Sequence, residues 1–180
     1  MNAGVKWAAV CVAGAMLVAG CGGKSGPSVL DVKGLSLGMG LSEANAVCKT
    51  LLEGSGCSVG DIQDGELAIY DIGESGGKCF GFSAMGMNLA GGGVTADANG
   101  KVNGFIFSGG LVNHIFKVTE MEDGDFVQKF ADSYKIPEFK VSDANEFWYF
   151  DSPHGYRIKI KQGKGLTVKK IASANEQKFN

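Results

Sequence analysis

Apolar residues recur at helical spacing in two stretches of the chain. Ala44, Val47, Cys48, Leu51 and Leu52 fall at i, i+3, i+4, i+7 and i+8, one stripe of period 3.6. They predict a helix that runs to about Glu53, with Gly40 or Ser42 as its cap. With Gly40 as the cap, Glu43 sits in the first turn, where a carboxylate favours the positive helix end. Gly54 supplies the stop. Phe126, Val127, Phe130, Ala131 and Tyr134 mark a second helix from about Asp123 to Lys135, ended by Ile136-Pro137 because the residue before proline avoids helical angles.

Extended patterns fill the rest. Val29–Leu37, Glu66–Ile72, Lys78–Met85, Val94–Asp97 and Val102–Ser108 read as strands in the first half. Asn99-Gly100 between the last two is a hairpin signal. Ile115–Thr119 also reads as extended. Glu146–Asp151, Tyr156–Lys161 and Leu166–Ile171 follow the second helix. Tyr156, Ile158 and Ile160 alternate with Arg157, Lys159 and Lys161, the sign of a sheet with one wet face. Met39 and Met121 are 82 residues apart, as are Ala44 and Phe126. The expected architecture is therefore α+β, with two divergent repeats, each one helix packed on a three- to four-stranded antiparallel sheet. The first repeat covers residues 29–112, the second 113–172, and 173–180 form a tail. The alternative is one larger α+β domain without internal symmetry.

The N-terminus has a different pattern. Lys6 is followed by an uncharged, mostly apolar run from Trp7 to Ala19. As a helix it spans roughly 20 Å, short of a bilayer core of about 30 Å. That length suits a signal peptide, here residues 1–20. The run ends in Val18-Ala19-Gly20-Cys21, which resembles the lipobox of bacterial lipoprotein precursors. The resemblance implies cleavage before Cys21 and acylation of its thiol. Gly22 is compatible with outer-membrane sorting in such proteins. Residues 21–28 read as a flexible tether. The expected location is the cell envelope, lipid-anchored, more on the outer-membrane side and facing the periplasm.

Gly38-Met39-x-x-x-Glu43-Ala44, at the entry to an amphipathic helix, resembles the SmpA/OmlA (BamE-like) family of small outer-membrane lipoproteins. Tandem copies of a similar fold occur in β-lactamase inhibitory proteins. Those families commonly place Thr or Ser where Gly40 stands, and in the second half only Met121 and the helix spacing match. The resemblance implies the fold and a non-enzymatic role in binding another envelope protein. Inhibition or modulation of an enzyme is the alternative it leaves open.

Composition narrows the chemistry. A net charge of −2 gives no basic face for nucleic acid. Twenty-nine glycines point to tight turns, and three prolines do not make a disordered chain. Beyond Cys21, export leaves Cys48, Cys57 and Cys79 in an oxidising compartment, where one disulfide is expected and one thiol is left over. Cys48–Cys57 is the favoured pair and Cys57–Cys79 the alternative; Cys48 can also be read as a small buried apolar residue. No metal site and no cofactor are expected.

Other patterns have bland readings that outweigh the functional ones. Gly20-Cys21-Gly22-Gly23-Lys24-Ser25 lacks the first glycine of a phosphate loop. Gly-x-Ser-x-Gly occurs around Ser36, Ser58 and Ser75, without the strand–turn–helix that a nucleophile elbow needs. His114 and His154 lack a metal-ligand partner at short spacing. Asp97-x-Asn99-x-Lys101 reads as a turn rather than a calcium loop. Glu120, Glu122, Asp123 and Asp125 suit the start of a helix. Lys159, Lys161, Lys164, Lys169 and Lys170 read as the solvated face of the last strands, or as contacts for anionic lipid or an acidic partner. Of Trp148, Tyr149 and Phe150, at least one must point away from the core.

Overall fold

A computed structural model describes residues 25–74, 76, 78–79, 91–142 and 145–171. Residues 1–20, read as a signal peptide, Cys21, Ser75, most of the strand expected over 78–85 and residues 173–180, read as a tail, lie outside the described residues. Among the described residues the fold is α+β, with three helices and ten strands.

The chain starts with a small hairpin of β1 (Asp31–Val32) and β2 (Leu35–Ser36). Lys33 and Gly34 both take positive φ, 57° and 89°, which splits the single strand expected there. Helix α1 (Leu41–Leu51) follows, capped by Gly40. Then come β3 (Cys57–Val59), β4 (Glu66–Asp71), β5 (Gly92–Ala96) and β6 (Val102–Phe107). Helix α2 (Gly109–Phe116) leads to helix α3 (Asp123–Tyr134). The last four strands are β7 (Lys140–Val141), β8 (Phe147–Asp151), β9 (Tyr156–Ile160) and β10 (Leu166–Lys170).

Eight of these strands form one antiparallel sheet in the order β3-β4-β5-β6-β10-β9-β8-β7. Each half of the chain thus contributes a four-stranded meander preceded by a helix. The two meanders meet where β6 pairs with β10, Phe105 lying opposite Val168. The helices cover one face of the sheet. Ala44, Cys48 and Leu52 of the first stripe are buried there, with Leu111, Val112 and Ile115 of α2 and Phe126, Val127, Phe130 and Ala131 of α3. From the sheet they meet Leu67, Ile69, Val94, Phe105, Phe107, Ile158, Ile160 and Val168. Phe116, Phe126 and Phe130 form an aromatic cluster, with Phe116 5.5 Å from Phe126 and 6.0 Å from Phe130 between ring centroids. Fully burying such a side chain contributes about 1.5–3 kcal/mol.

Two sequence expectations are corrected. Ile115–Thr119 is not a strand: α2 runs to Phe116, so the boundary at 112/113 falls inside a helix. Ser108 starts α2 by accepting the Leu111 amide at 3.2 Å. Gly109 and Gly110 weaken the helical signal in the sequence, yet close packing requires them. A Cβ at Gly109 would stand 1.8 Å from the Gly163 carbonyl oxygen, and one at Gly110 2.6 Å from Cα of Lys78. Within residues 21–28, read as a flexible tether, Gly26 is instead buried and its amide is bonded to the second half of the sheet.

Candidate functional site

The register of the sheet defines the face that no helix covers among the described residues, because residues opposite each other on antiparallel strands point the same way. One row runs Trp148, Lys159, Thr167, Ile106, Gly93 and Ala68. The next runs Phe150, Arg157, Lys169, Gly104, Thr95 and Glu66. Trp148, Phe150, Ile106 and Tyr70 are 38%, 47%, 46% and 51% exposed, a density of large apolar side chains that marks an interaction surface when they share one face. Tyr149, between the first two, faces the core at 8% exposure. This follows from strand alternation, which must send neighbours to opposite sides.

Small residues floor the middle of that face. A Cβ at Gly93 would stand 2.7 Å from the Leu67 carbonyl oxygen, and one at Gly104 3.0 Å from Cγ of Lys169. Thr95 donates its hydroxyl to Asn103 Oδ1 at 2.6 Å. Cations concentrate on the second-half side of the face. Lys159 pairs with Glu146, and Lys140 lies over the Trp148 ring at 5.2 Å. Arg157 and Lys169 form no ion pair among the described residues. The five lysines singled out in the sequence do not share one face. Lys159 and Lys169 do, whereas Lys170 has the opposite parity and Lys164 is buried in a single 3-10 turn, Gln162–Lys164.

A second polar constellation lies on the covered side, at the end of the sheet marked by the β8–β9 turn. The Gly26 amide donates to the Tyr149 hydroxyl at 2.6 Å and to Asp151 Oδ2 at 2.7 Å. Tyr149 donates to the same carboxylate oxygen at 2.9 Å. Asp151 Oδ1 receives the His154 amide at 3.0 Å and lies 2.9 Å from its Nδ1. Tyr156 donates to the Pro27 carbonyl at 3.0 Å. Burial opposes ionisation of Asp151, but the Tyr149 hydroxyl, the His154 and Gly26 amides and the His154 ring outweigh it and hold the carboxyl below its ordinary value. Burial and the bond to Asp151 push Tyr149 up to about 12, and burial with the nearby Asp151 charge also raises Tyr156. A Cβ at Gly26 would stand 2.5 Å from the Tyr156 hydroxyl, so a larger residue there must displace that ring or the segment itself.

The cysteines resolve the open choice of pairing. Cys57 and Cys79 are bonded, with Cα atoms 5.9 Å apart. The favoured Cys48–Cys57 pair is not formed. The stripe that predicts α1 aims Cys48 at the core, where burial raises its thiol to about 11 and makes it a poor nucleophile.

The remaining candidates are occupied by structural roles. Asp97 Oδ1 accepts the Asn99 and Lys101 amides at 2.9 and 3.1 Å, closing the hairpin in which Gly100 takes φ 68°. Asp123 Oδ2 accepts the Gly163 amide at 2.8 Å. His114 Nε2 lies 3.1 Å from the Glu53 carbonyl, and burial with nearby Lys117 lowers its pKa. Ser36 lies in β2 and Ser58 in edge strand β3. Among the described residues neither histidine bonds a serine, no metal-ligating cluster forms, and no helix is long and apolar enough to cross a membrane. The aromatic-cationic face and the Gly26 network were not visible as units in the sequence. Their members come from segments far apart in the chain; the Arg157/Lys159 alternation, the aromatic run Trp148–Phe150 and the late lysines hinted at the first. Comparison with protein-family models, curated proteins and solved structures finds no match to this chain.

Proposed function

We propose that this protein is a lipid-anchored bacterial lipoprotein, cleaved before Cys21, that faces the periplasm from the outer membrane. It binds another envelope protein without catalysing a reaction, as an assembly or structural accessory. The observation that carries the binding role is the uncovered sheet face with Tyr70, Ile106, Trp148 and Phe150 beside Arg157 and Lys169. The apolar side chains supply anchors of the kind that dominate interfaces. The cations select a partner that surrounds an apolar patch with carboxylates. The anchor rests on Val18-Ala19-Gly20-Cys21.

The internal duplication belongs to the same reading. Helices α1 and α3 begin 82 residues apart, each preceded by a methionine, Met39 or Met121, that packs on the core. Each is followed by a four-strand meander, and the last strands of the two meanders pair. That arrangement also favours the second reading, an inhibitor or modulator that holds an enzyme against the shared face, as tandem inhibitors of similar expected fold do.

A photo-crosslinking residue at Phe150, compared with one at Gln128 on the exposed side of α3, separates the outcomes in intact envelopes. The leading reading expects an adduct with a membrane protein at position 150 and none at 128. An adduct with a soluble enzyme selects the second reading, and equal adducts at both positions end the role of the open face. Mass measurement of the mature chain tests cleavage and acylation at Cys21.

A further inference from the structure

Gly26 and Pro27, in the described part of the segment leading into the fold, are both held at one end of the sheet. Gly26 is fixed by two acceptors on β8, Pro27 by a hydroxyl on β9, and both lie beside the turn Ser152–Gly155. The end of β10 is at the same place, where the Ile171 amide donates to the Gly155 carbonyl. The opposite end of the sheet carries the 3-10 turn Gln162–Lys164, beyond the far end of β9. A five-residue strand covers about 17 Å.

We infer that the sheet end formed by the Ser152–Gly155 turn and the close of β10 is the surface apposed to a lipid bilayer, and that the Gly26 latch sets this orientation. The inference rests on the reading of Cys21 as the acylated residue. Cys21 lies five residues before Gly26, so the two are at most about 17–18 Å apart. With the latch closed, the anchor lies closest to the end that holds Gly26, because the Gln162 end is reached only if residues 21–25 run fully extended along the strands; at any shorter extension β9 and β10 rise away from the membrane. With the latch open, the next fixed point is buried Leu30, nine residues from Cys21. The reach then grows to about 30 Å, long enough for the body to turn. Electrostatic attraction is not what selects this end. Lys169 and Lys170 stand there with Glu66 and Asp97 around the same cavity, so its charge is mixed. The covalent tether and the buried carboxylate select it.

The test uses the native protein purified from envelopes, with its acyl mass measured, in phosphatidylcholine vesicles that carry a gadolinium headgroup lipid. Spin labels are placed at Ser152→Cys or Gln162→Cys, both exposed positions, while buried Cys48 stays unlabelled. Relaxation of the label at 152 is expected to be several times stronger than at 162, and unchanged when anionic lipid is added. Gly26→Ala, whose methyl would meet the Tyr156 hydroxyl, should bring the two labels close to equal. Tyr149→Phe, which removes one acceptor of the Gly26 amide, should move them the same way. Equal relaxation in the acylated protein with an intact latch overturns the inference alone, as does an unequal ratio that survives both substitutions. A mature chain without acyl mass overturns the anchor and the inference together.

Discussion

The two halves close the same layer of helix on sheet with different materials. In the first half, α1 presents Leu41 to the core together with two small groups, Ala44 and Cys48. The Cys57–Cys79 bond fastens edge strand β3 to the segment between β4 and β5. In the second half the positions 82 residues later are Phe126 and Phe130, and their rings continue through Phe139 to Tyr149. No disulfide serves that side among the described residues; the Gly26 segment is tied to Asp151 and the two tyrosines instead. The difference teaches that the topology depends on which positions are buried, not on what fills them. Small residues at a helix face and a covalent staple do for one half what large rings and a buried carboxylate do for the other.

The largest effect should come from emptying the aromatic side. Phe130→Ala removes a ring packed against four others, and urea unfolding should show a loss of about 3–5 kcal/mol. Removing the staple comes next. Cys57→Ser with Cys79→Ser opens a bond spanning 22 residues and should cost about 2–4 kcal/mol. A loss from this pair larger than from Phe130→Ala would reverse the contrast between the halves.

The buried carboxylate gives a smaller, pH-dependent effect. The folded pKa of Asp151 is depressed. Its contribution is therefore complete above the unfolded value of about 3.9 and is lost as pH falls through the folded value. Thermal unfolding followed from pH 7 downward should lose this contribution only in that acidic range. Asp151→Asn should remove that part of the acid dependence while costing about 1–3 kcal/mol at pH 7; an unchanged acid limb would assign it to other carboxylates. The smallest effect on stability is expected at the open face. Trp148→Ala and Phe150→Ala should each change unfolding by no more than about 0.5–1 kcal/mol, yet weaken crosslinking to the partner in envelopes.

Period and alternation in the sequence reveal α1, α3 and the strands β4, β5, β6, β8, β9 and β10, because each buries one face against a neighbour. Helix α2 is hidden by Gly109 and Gly110, which lower helix propensity but allow the backbone of Gly163 to approach. Strands β3 and β7 are too short for any pattern to register. The pairing of Cys57 with Cys79 is left open by spacing and is decided by the direction in which α1 turns Cys48. The Gly26 network joins residues more than 120 positions apart, beyond the reach of any local pattern. The open face is legible in the alternation around Arg157 and Lys159 and in the run Trp148–Phe150, which must send at least one ring outward; Tyr70, Ile106 and the small residues between are assembled by register.

The pairing of β6 with β10 has a consequence for the order in which the molecule is made. The hairpins within each meander join near neighbours, but Phe105 must wait for Val168. Closing that contact orders a loop of about 60 residues, an entropic cost that favours late formation. Strand β10 follows every other described strand in the chain and leaves the ribosome after them. Until it arrives, β6 has an unsatisfied row of backbone groups along its outer side, the kind of edge that recruits foreign strands. A chain interrupted before residue 166 therefore exposes the middle of its own sheet to aggregation.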